Sequence, residues 1–408
     1  MLSGAAGPRR LGDNGQVRHI DAYERRARLG LRHRLAPGAR ADDPAEAAAG
    51  VVALHATDPA SVFLAAMARM REPAVAAVER ALYEDRSLVR MLGMRRTMFV
   101  APRDLAPVIQ SSSTRAIAAV ERRRLVARLE AGGLGGDDAA AWLADVEEST
   151  LRALRARGEA AASELSSDEP RLRASVLMAA GKPYEARQNV STWVLSLLAA
   201  DGRIVRGRPR GSWVSSQYRW APLDDWLPGA RPDPPREAAQ AELARRWLAR
   251  FGPGTLADVR WWTGWTAAHA RAALAAVGAV EVDLGGSTGL VLADDLDPVP
   301  APDPWAALLP ALDATPMGWT ERGWFLGPHA PALFDRSGNV GPTVWWDGRI
   351  VGGWGQRPGG EVVVRLLEDV GADARAAVDA AAERTEAALG GVRVTPRFRT
   401  PLWRELSE

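Results

Sequence analysis

Apolar positions along the chain recur at helical spacing, then give way to short alternating runs around glycine, and this alternation repeats three times. The first round starts near His19. AYERRARLGLRHRL reads as a basic helix, DDPAEAAAGVVALHA as a second with Asp43 as N-cap and Pro44 in its first turn, and PASVFLAAMARM as a third. AVAAVERALYED then leads into SLVRMLGMRRTMFVAP, which predicts two strands turning at Gly93. The second round begins at Pro102 with long Ala/Arg/Leu-rich helices to about Arg157, interrupted by GGLGGDD. GEAAASEL and ARQNVSTWVLSLLAADGRIV predict a helix–turn–helix, and IVRGRPRGSWVSSQYRWAP a hairpin with its tip between Gly207 and Gly211. LPGARPDPPRE reads as a linker. The third round has its last helix after TGWT and a hairpin, EVDL-GGSTG-LVLA.

Beyond Pro298 the texture changes to Trp, Gly, Pro and Val in short runs, which predicts a compact sheet or small barrel. ADARAAVDAAAERTEAAL is a closing helix, with a short strand expected from Val392 to Thr395. The fold class expected is α+β: tandem winged-helix units, each a helix–turn–helix plus β-hairpin, and a β-rich, barrel-like C-terminal domain. The boundaries expected are a disordered basic tail over 1–18, units over 19–102, 103–228 and 236–298, and the β-rich domain over 299–408.

Composition narrows the chemistry. The chain has 408 residues and no cysteine, which removes disulfides, thiol nucleophiles and cysteine metal sites. Its five histidines, His19, His33, His55, His269 and His329, are scattered without ligand spacing, so neither a metal nor another cofactor is expected. No run of about eighteen apolar residues is present and MLSGAAGPRRLGDNG lacks an apolar signal core, so the expectation is a cytoplasmic protein with no membrane partner. The formal charge is only +2, but the bases are almost all arginine, with Lys182 the single lysine. Arginine for lysine suits phosphate and guanine recognition, and it is also what a GC-rich genome produces.

Stacked winged helices suggest nucleic acid as partner. RGRPRG sharpens this, because Arg206, Arg208 and Arg210 alternate with Gly and Pro at an expected hairpin tip that could enter a minor groove. A solvated turn is the plainer reading. Arg115, Arg122, Arg123, Arg124 and Arg128 could contact phosphates, or simply form a charged helix face. The pairs Trp261-Trp262 and Trp345-Trp346 could stack on bases, although core packing is the commoner use.

Three segments carry a resemblance to a known family: LHATDPASVFLAAMAR, LVRMLGMRRTMFVAPRDL, and LLPALDATPMGWTERGWF with the later TVWWDGRIVGGW. They resemble the AlkZ/YcaQ-like winged-helix DNA glycosylases, bacterial enzymes that remove bulky alkylated purines and unhook crosslinks. The resemblance covers nearly the whole chain after the tail. The family's catalytic motif is Gln-apolar-Gln or Gln-apolar-Asp; here those positions are His55, Ala56 and Thr57, so both polar residues differ, and the family's second-segment histidine is Phe99.

The resemblance implies a monofunctional glycosylase that hydrolyses the N-glycosidic bond of an alkylated purine, a bulky N7-alkylguanine, in double-stranded DNA. Alkylation at N7 makes the base cationic and an easy leaving group. The remaining work is to hold a water near C1′ and stabilise the sugar cation. His55 and Thr57 could orient that water, with neutral histidine accepting its proton. Asp58 could stabilise the cation by analogy with glycosidases, although Asp58-Pro59 is also a strong helix start. Arg95, Arg96 and Thr97 are expected to line the cleft or touch DNA. Asp313 and Arg322 match family positions and could form an ion pair or contact substrate. With Lys182 outside these segments, a lyase step through a Schiff base is not expected. The alternatives are a non-catalytic winged-helix DNA-binding protein, favoured by the altered motif, and a protein that sequesters a drug in its Trp-rich part. Three units in one chain suggest a concave monomer wrapping a duplex.

Overall fold

The computed structural model describes residues 17–178, 181, 185–229 and 232–408. Lys182 and residues 1–16 of the expected tail lie outside these. Arg18, the last residue assigned to that tail, is held by Glu24 at 2.6 Å and by the Leu296 carbonyl at 3.2 Å.

The first round of elements is α1 (Ala22–Arg32), α2 (Pro44–Ala49), β1 (Leu54–His55), α3 (Pro59–Met67), α4 (Val75–Tyr83), β2 (Leu88–Leu92) and β3 (Met98–Pro102). Asp43 caps α2 through the amides of Ala45 and Glu46, and Pro44 occupies its first turn. The helix expected to run through VVALHA stops instead at Gly50. Val52 takes a positive φ of 64°, and the next residues are drawn into a sheet, with Leu54 opposite Val100 and His55 opposite Phe99. The resulting order, helix, strand, two helices, hairpin, with the sheet arranged β1-β3-β2, recurs downstream.

The second round contains α5 (Ala106–Ile109), α6 (Arg115–Ala131), α7 (Ala139–Arg157), β4 (Ala160–Ala161), α8 (Ala162–Asp168), a two-stranded insert β5 (Ser175–Met178) and β6 (Ala186–Asn189), α9 (Val190–Ala200), β7 (Ile204–Pro209), β8 (Tyr218–Pro222) and α10 (Leu223–Trp226). From β4 onward its sheet order is β4-β8-β7, the same as in the first round. The residues ARQN, expected to begin a helix, pair with Ser175–Met178 as a strand. The third round is α11 (Arg236–Phe251), α12 (Leu256–Thr263), α13 (Ala267–Ala276), β9 (Val280–Asp283) and β10 (Thr288–Val291), with a bridge from Gly254 to Leu290 standing where the extra strand stood before.

The last part does not close into a barrel. It is an open antiparallel meander of β11 (Ala306–Leu309), β12 (Thr343–Trp346), β13 (Arg349–Gln356) and β14 (Val362–Leu366), with short helices α14 (Gly323–Leu326) and α15 (Ala330–Leu333) between its first two strands. Helix α16 (Ala372–Leu389) packs on this sheet. The strand expected at 392–395 is absent; Val394 instead bonds through its amide to Gln356, and the chain ends in α17 (Pro401–Leu406). Among the described residues no helix is long and apolar enough to cross a membrane.

What joins these parts is α3. Every residue from Ala60 to Met67 is buried, so the helix is apolar on all sides and sits at the centre. Its N-cap Asp58 accepts from Ala60 with one oxygen (3.1 Å) and from the amide of Arg397 with the other (2.9 Å). Ser61 donates to the Ala311 carbonyl at 2.7 Å. Two residues past its end, Arg69 grips Asp313 with both forks, at 2.9 and 2.7 Å, and both side chains are 0% exposed. Arg69 also donates to Ala65 O and Thr315 Oγ1, and Thr315 in turn meets His33 Nδ1 at 2.9 Å. Asp313 therefore pairs with Arg69 and not with Arg322, whose Nε bonds the Trp319 carbonyl.

A bidentate pair without solvent is strongly asymmetric: removing one partner strands the other charge. Asp313→Asn is expected to lower the unfolding free energy by about 3–5 kcal/mol in urea titrations.

Candidate active site

Strand β1 lies where three units meet. Its two polar neighbours face different seams. The His55 ring meets Phe99 edge-on, with centroids 5.8 Å apart, and Phe99 in turn touches Trp262 of α12 at 6.4 Å. Thr57, just past the strand, lines a cleft of about 510 Å³ between the first and second units. The opposite walls of that cleft come from Ser163, Gln217, Tyr218 and Trp220, with Arg206, Arg210 and Arg397 supplying charge.

Burial decides the state of His55. Its protonation is pushed down to about 4, first by desolvation and then by Arg95, with Asp313 opposing weakly. The ring is neutral at physiological pH. Nδ1 is buried without a partner, so polar work by this ring falls to Nε2. Asp58 is 5% exposed and both of its oxygens accept from backbone amides, which makes it a cap and a tether for the 397 segment.

Arg95 and Arg96 occupy the turn between β2 and β3, two residues past Gly93 where the turn was expected. Both take positive φ, 55° and 58°, and the Thr97 amide bonds back to Met94 O at 3.0 Å. This is a tight hairpin turn that normally takes Asn-Gly. Left-handed backbone costs an arginine about 1–2 kcal/mol, and such strain concentrates at functional sites. Arg95 lies over the Trp261 ring at 4.2 Å, and Arg322 lies over the same ring at 5.1 Å. Neither arginine has a carboxylate partner among the described residues. Trp262 is buried core, whereas Trp261 is half-buried between two cations. Arg96 pairs with Glu121 at 2.9 Å.

The arginine-rich hairpin differs from the expected projecting tip. The turn lies further on, from Arg210 to Gln217, and it is folded inward. Trp213 is buried and meets Phe63 of α3 at 5.2 Å, which pins the tip to the first unit. Arg208 pairs with Glu79 and Glu84, and Arg210 with Glu164. Arg206 is not at the tip but within β7, opposite Trp220. On α6, Arg122 is bound by Glu147 and Asp201 and Arg124 by Glu121, while Arg115 pairs with Asp233. Sequence reading missed Arg90. It is buried on β2 and donates to the Ala56 carbonyl at 3.0 Å, fixing the residue between His55 and Thr57. Its only sequence signal was an arginine in an otherwise apolar strand, LVRML.

Repeated helix–strand–helix–helix–hairpin units and a C-terminal antiparallel sheet define an α+β protein. Residues 48–388 match the family model described as DNA glycosylase AlkZ-like, and the chain belongs to that family of DNA glycosylases. The DNA glycosylase AlkZ of Streptomyces sahachiroi is similar in fold, with a TM-score of 0.71 and 22% identity over 93% of this chain and 99% of that one. No curated protein sequence matches the chain.

Two outcomes follow from this geometry. Replacing Arg95-Arg96 by Asn-Gly is expected to raise stability by about 1 kcal/mol in urea unfolding, because the turn then holds residues suited to positive φ. Lowering the pH below the ordinary histidine value of 6.5 is expected to destabilise the protein progressively toward about 4, because the unfolded ring takes a proton that folded His55 refuses. His33, also held well below its ordinary value by burial, adds to the loss. The loss should be shallower in His55→Gln.

Proposed function

We propose that this protein is a monofunctional DNA glycosylase that hydrolyses the N-glycosidic bond of alkylated purines, bulky N7-alkylguanine adducts above all, including those in interstrand crosslinks. It would act as a cytoplasmic monomer on double-stranded DNA. The observation that carries this reading is the position of His55 and Thr57: a neutral imidazole and a hydroxyl two residues apart, with Thr57 opening on a cleft of about 510 Å³.

In this reading the alkylated nucleotide leaves the stack and its sugar comes to Thr57. The base departs with its own positive charge as the driving force, so little acid catalysis is needed. Thr57 holds a water for C1′, and the His55 ring, which packs on Phe99 and does not line the cleft, turns toward that water to take its proton as the C–O bond forms. A weakly basic imidazole suits a step in which the attacked carbon is already cationic. Asp58 acts as a positioning residue, since its oxygens are committed to Ala60 and Arg397. Arg95, Arg96 and Thr97, at the strained turn, contact the DNA backbone beside the lesion, with Arg322 sharing the Trp261 platform. Lys182, the only side chain able to form a Schiff base, has no part in the scheme.

The test is release of base from a duplex carrying one defined N7-alkylguanine, with abasic sites revealed by alkaline cleavage. His55→Ala and Thr57→Ala are each expected to slow release at least about tenfold, roughly 1.4 kcal/mol of barrier, with duplex affinity unchanged. Release by the wild type should stay level from pH 8 to about 5 and fall as His55 protonates near 4. Tight duplex binding without release from any adduct would leave the DNA-binding protein as the reading.

A further inference from the structure

The arginines around the second hairpin are of two kinds. Arg208, Arg210 and Arg219 all face carboxylates of the protein itself. Arg206 has no carboxylate partner among the described residues and lies instead across the rings of Trp220 (5.1 Å) and Tyr218 (5.7 Å). Arg90 is 4% exposed and likewise unpaired. One of its nitrogens serves the Ala56 carbonyl, Nε and Nη2 have no partner, and its guanidinium lies 4.7 Å over the same Tyr218 ring. The Tyr218 hydroxyl is buried without a partner as well, and the buried Tyr83 hydroxyl stands close to Arg90.

Two desolvated cations side by side with idle donors are costly unless something answers them. Burial and the neighbouring Arg90 push Arg206 down to about 10, so it still carries its charge at neutral pH. Both arginines line a second cavity, of about 960 Å³, on the far side of Arg206 from the Thr57 cleft. The acids in its walls are already paired: Asp85 with Arg80, Asp104 with Arg246, Asp201 with Arg122 and Asp233 with Arg115. Its unanswered charge is therefore positive. Arg206 also lines the Thr57 cleft, so it stands in the wall between the two spaces.

That position is informative. A cationic alkylated base in the cleft would be repelled by Arg206 unless an anion came with it. The anion that DNA always brings is the phosphodiester next to the nucleotide, and a guanidinium fork matches its oxygens. We infer that Arg90 and Arg206, with the Tyr218 hydroxyl, form a phosphate seat that receives the backbone phosphate adjoining the nucleotide held at Thr57. The identity of the ligand rests on the glycosylase reading; free phosphate has the same chemistry.

The test is the salt dependence of binding to a duplex carrying one defined N7-alkylguanine, the nucleotide that comes to Thr57. Arg206→Gln is expected to reduce the slope of log affinity against log salt by about one, the loss of one phosphate contact. Arg206→Lys should keep most of the slope, and Arg208→Gln should leave it unchanged because that arginine is occupied by glutamates. Melting temperatures of all three variants check folding. An unchanged slope in a folded Arg206→Gln overturns the seat. So does protection of the wild type by inorganic phosphate that vanishes in Arg206→Gln while the slope stays the same, which would assign the pair to a free anion. Base release measured on the same proteins separates the two proposals: a reduced slope without release leaves the seat standing and removes the glycosylase, whereas release with an unchanged slope removes the seat alone.

Discussion

The pair of Arg69 and Asp313 is the constraint on which the site depends. It is fully buried, bidentate and 244 residues apart in sequence, and it closes the first unit onto the segment that opens the C-terminal sheet. Its weight lies less in net stabilisation than in specificity: any packing that separates the two segments leaves a bare charge in the core. Around it the cap at Asp58, the Ser61 hydroxyl and the Thr315–His33 contact point the same way. Together they hold α3, and β1 enters α3 through only Ala56, Thr57 and Asp58. The placement of His55 and Thr57 is a consequence of that anchoring.

The charge distribution supports the same division of labour. A chain with 52 basic and 50 acidic side chains could have spread its arginines evenly over the surface. Instead many are matched by acids of the protein, and around β1 stand four that are not matched among the described residues: Arg90 and Arg206 near Thr57, Arg95 and Arg322 over Trp261. Unpaired buried cations are tolerated where a ligand supplies the missing charge. Burial keeps His55 neutral in the first place, and Arg95, one of these cations, adds to it. The backbone strain at Arg95 and Arg96 belongs to the same arrangement, since a turn optimised for stability would not place two arginines there.

Much of this was legible in the sequence, for physical reasons that can be named. Asp43-Pro44 and Asp58-Pro59 announce helix starts because a carboxylate capping an amide is a local interaction, independent of the rest of the fold. The alternation of helices and hairpins, and the motif at His55, are local as well. What stayed hidden is long-range. VVALHA has helical spacing, yet pairing with Val100 and Phe99 turns its end into a strand. RGRPRG reads as a free cationic tip, but the signal that pins it, Trp213 seeking Phe63, requires knowing what lies opposite. The family resemblance sets Asp313 beside Arg322, and only the packing of α3 shows that its partner is Arg69. Arg90 was passed over because an arginine in a strand announces no partner, and the partner here is a backbone carbonyl beside the catalytic candidates.

The central claim is that this fold cleaves a glycosidic bond with an altered pair of polar residues. The most direct measurement is single-turnover incubation of the wild-type protein, in excess, with a duplex bearing one bulky N7-alkylguanine, following free modified base by mass spectrometry. The account predicts one equivalent of intact alkylguanine, faster than spontaneous depurination, with an unbroken abasic strand left behind. Release at the spontaneous rate while the duplex is saturated with protein would contradict it.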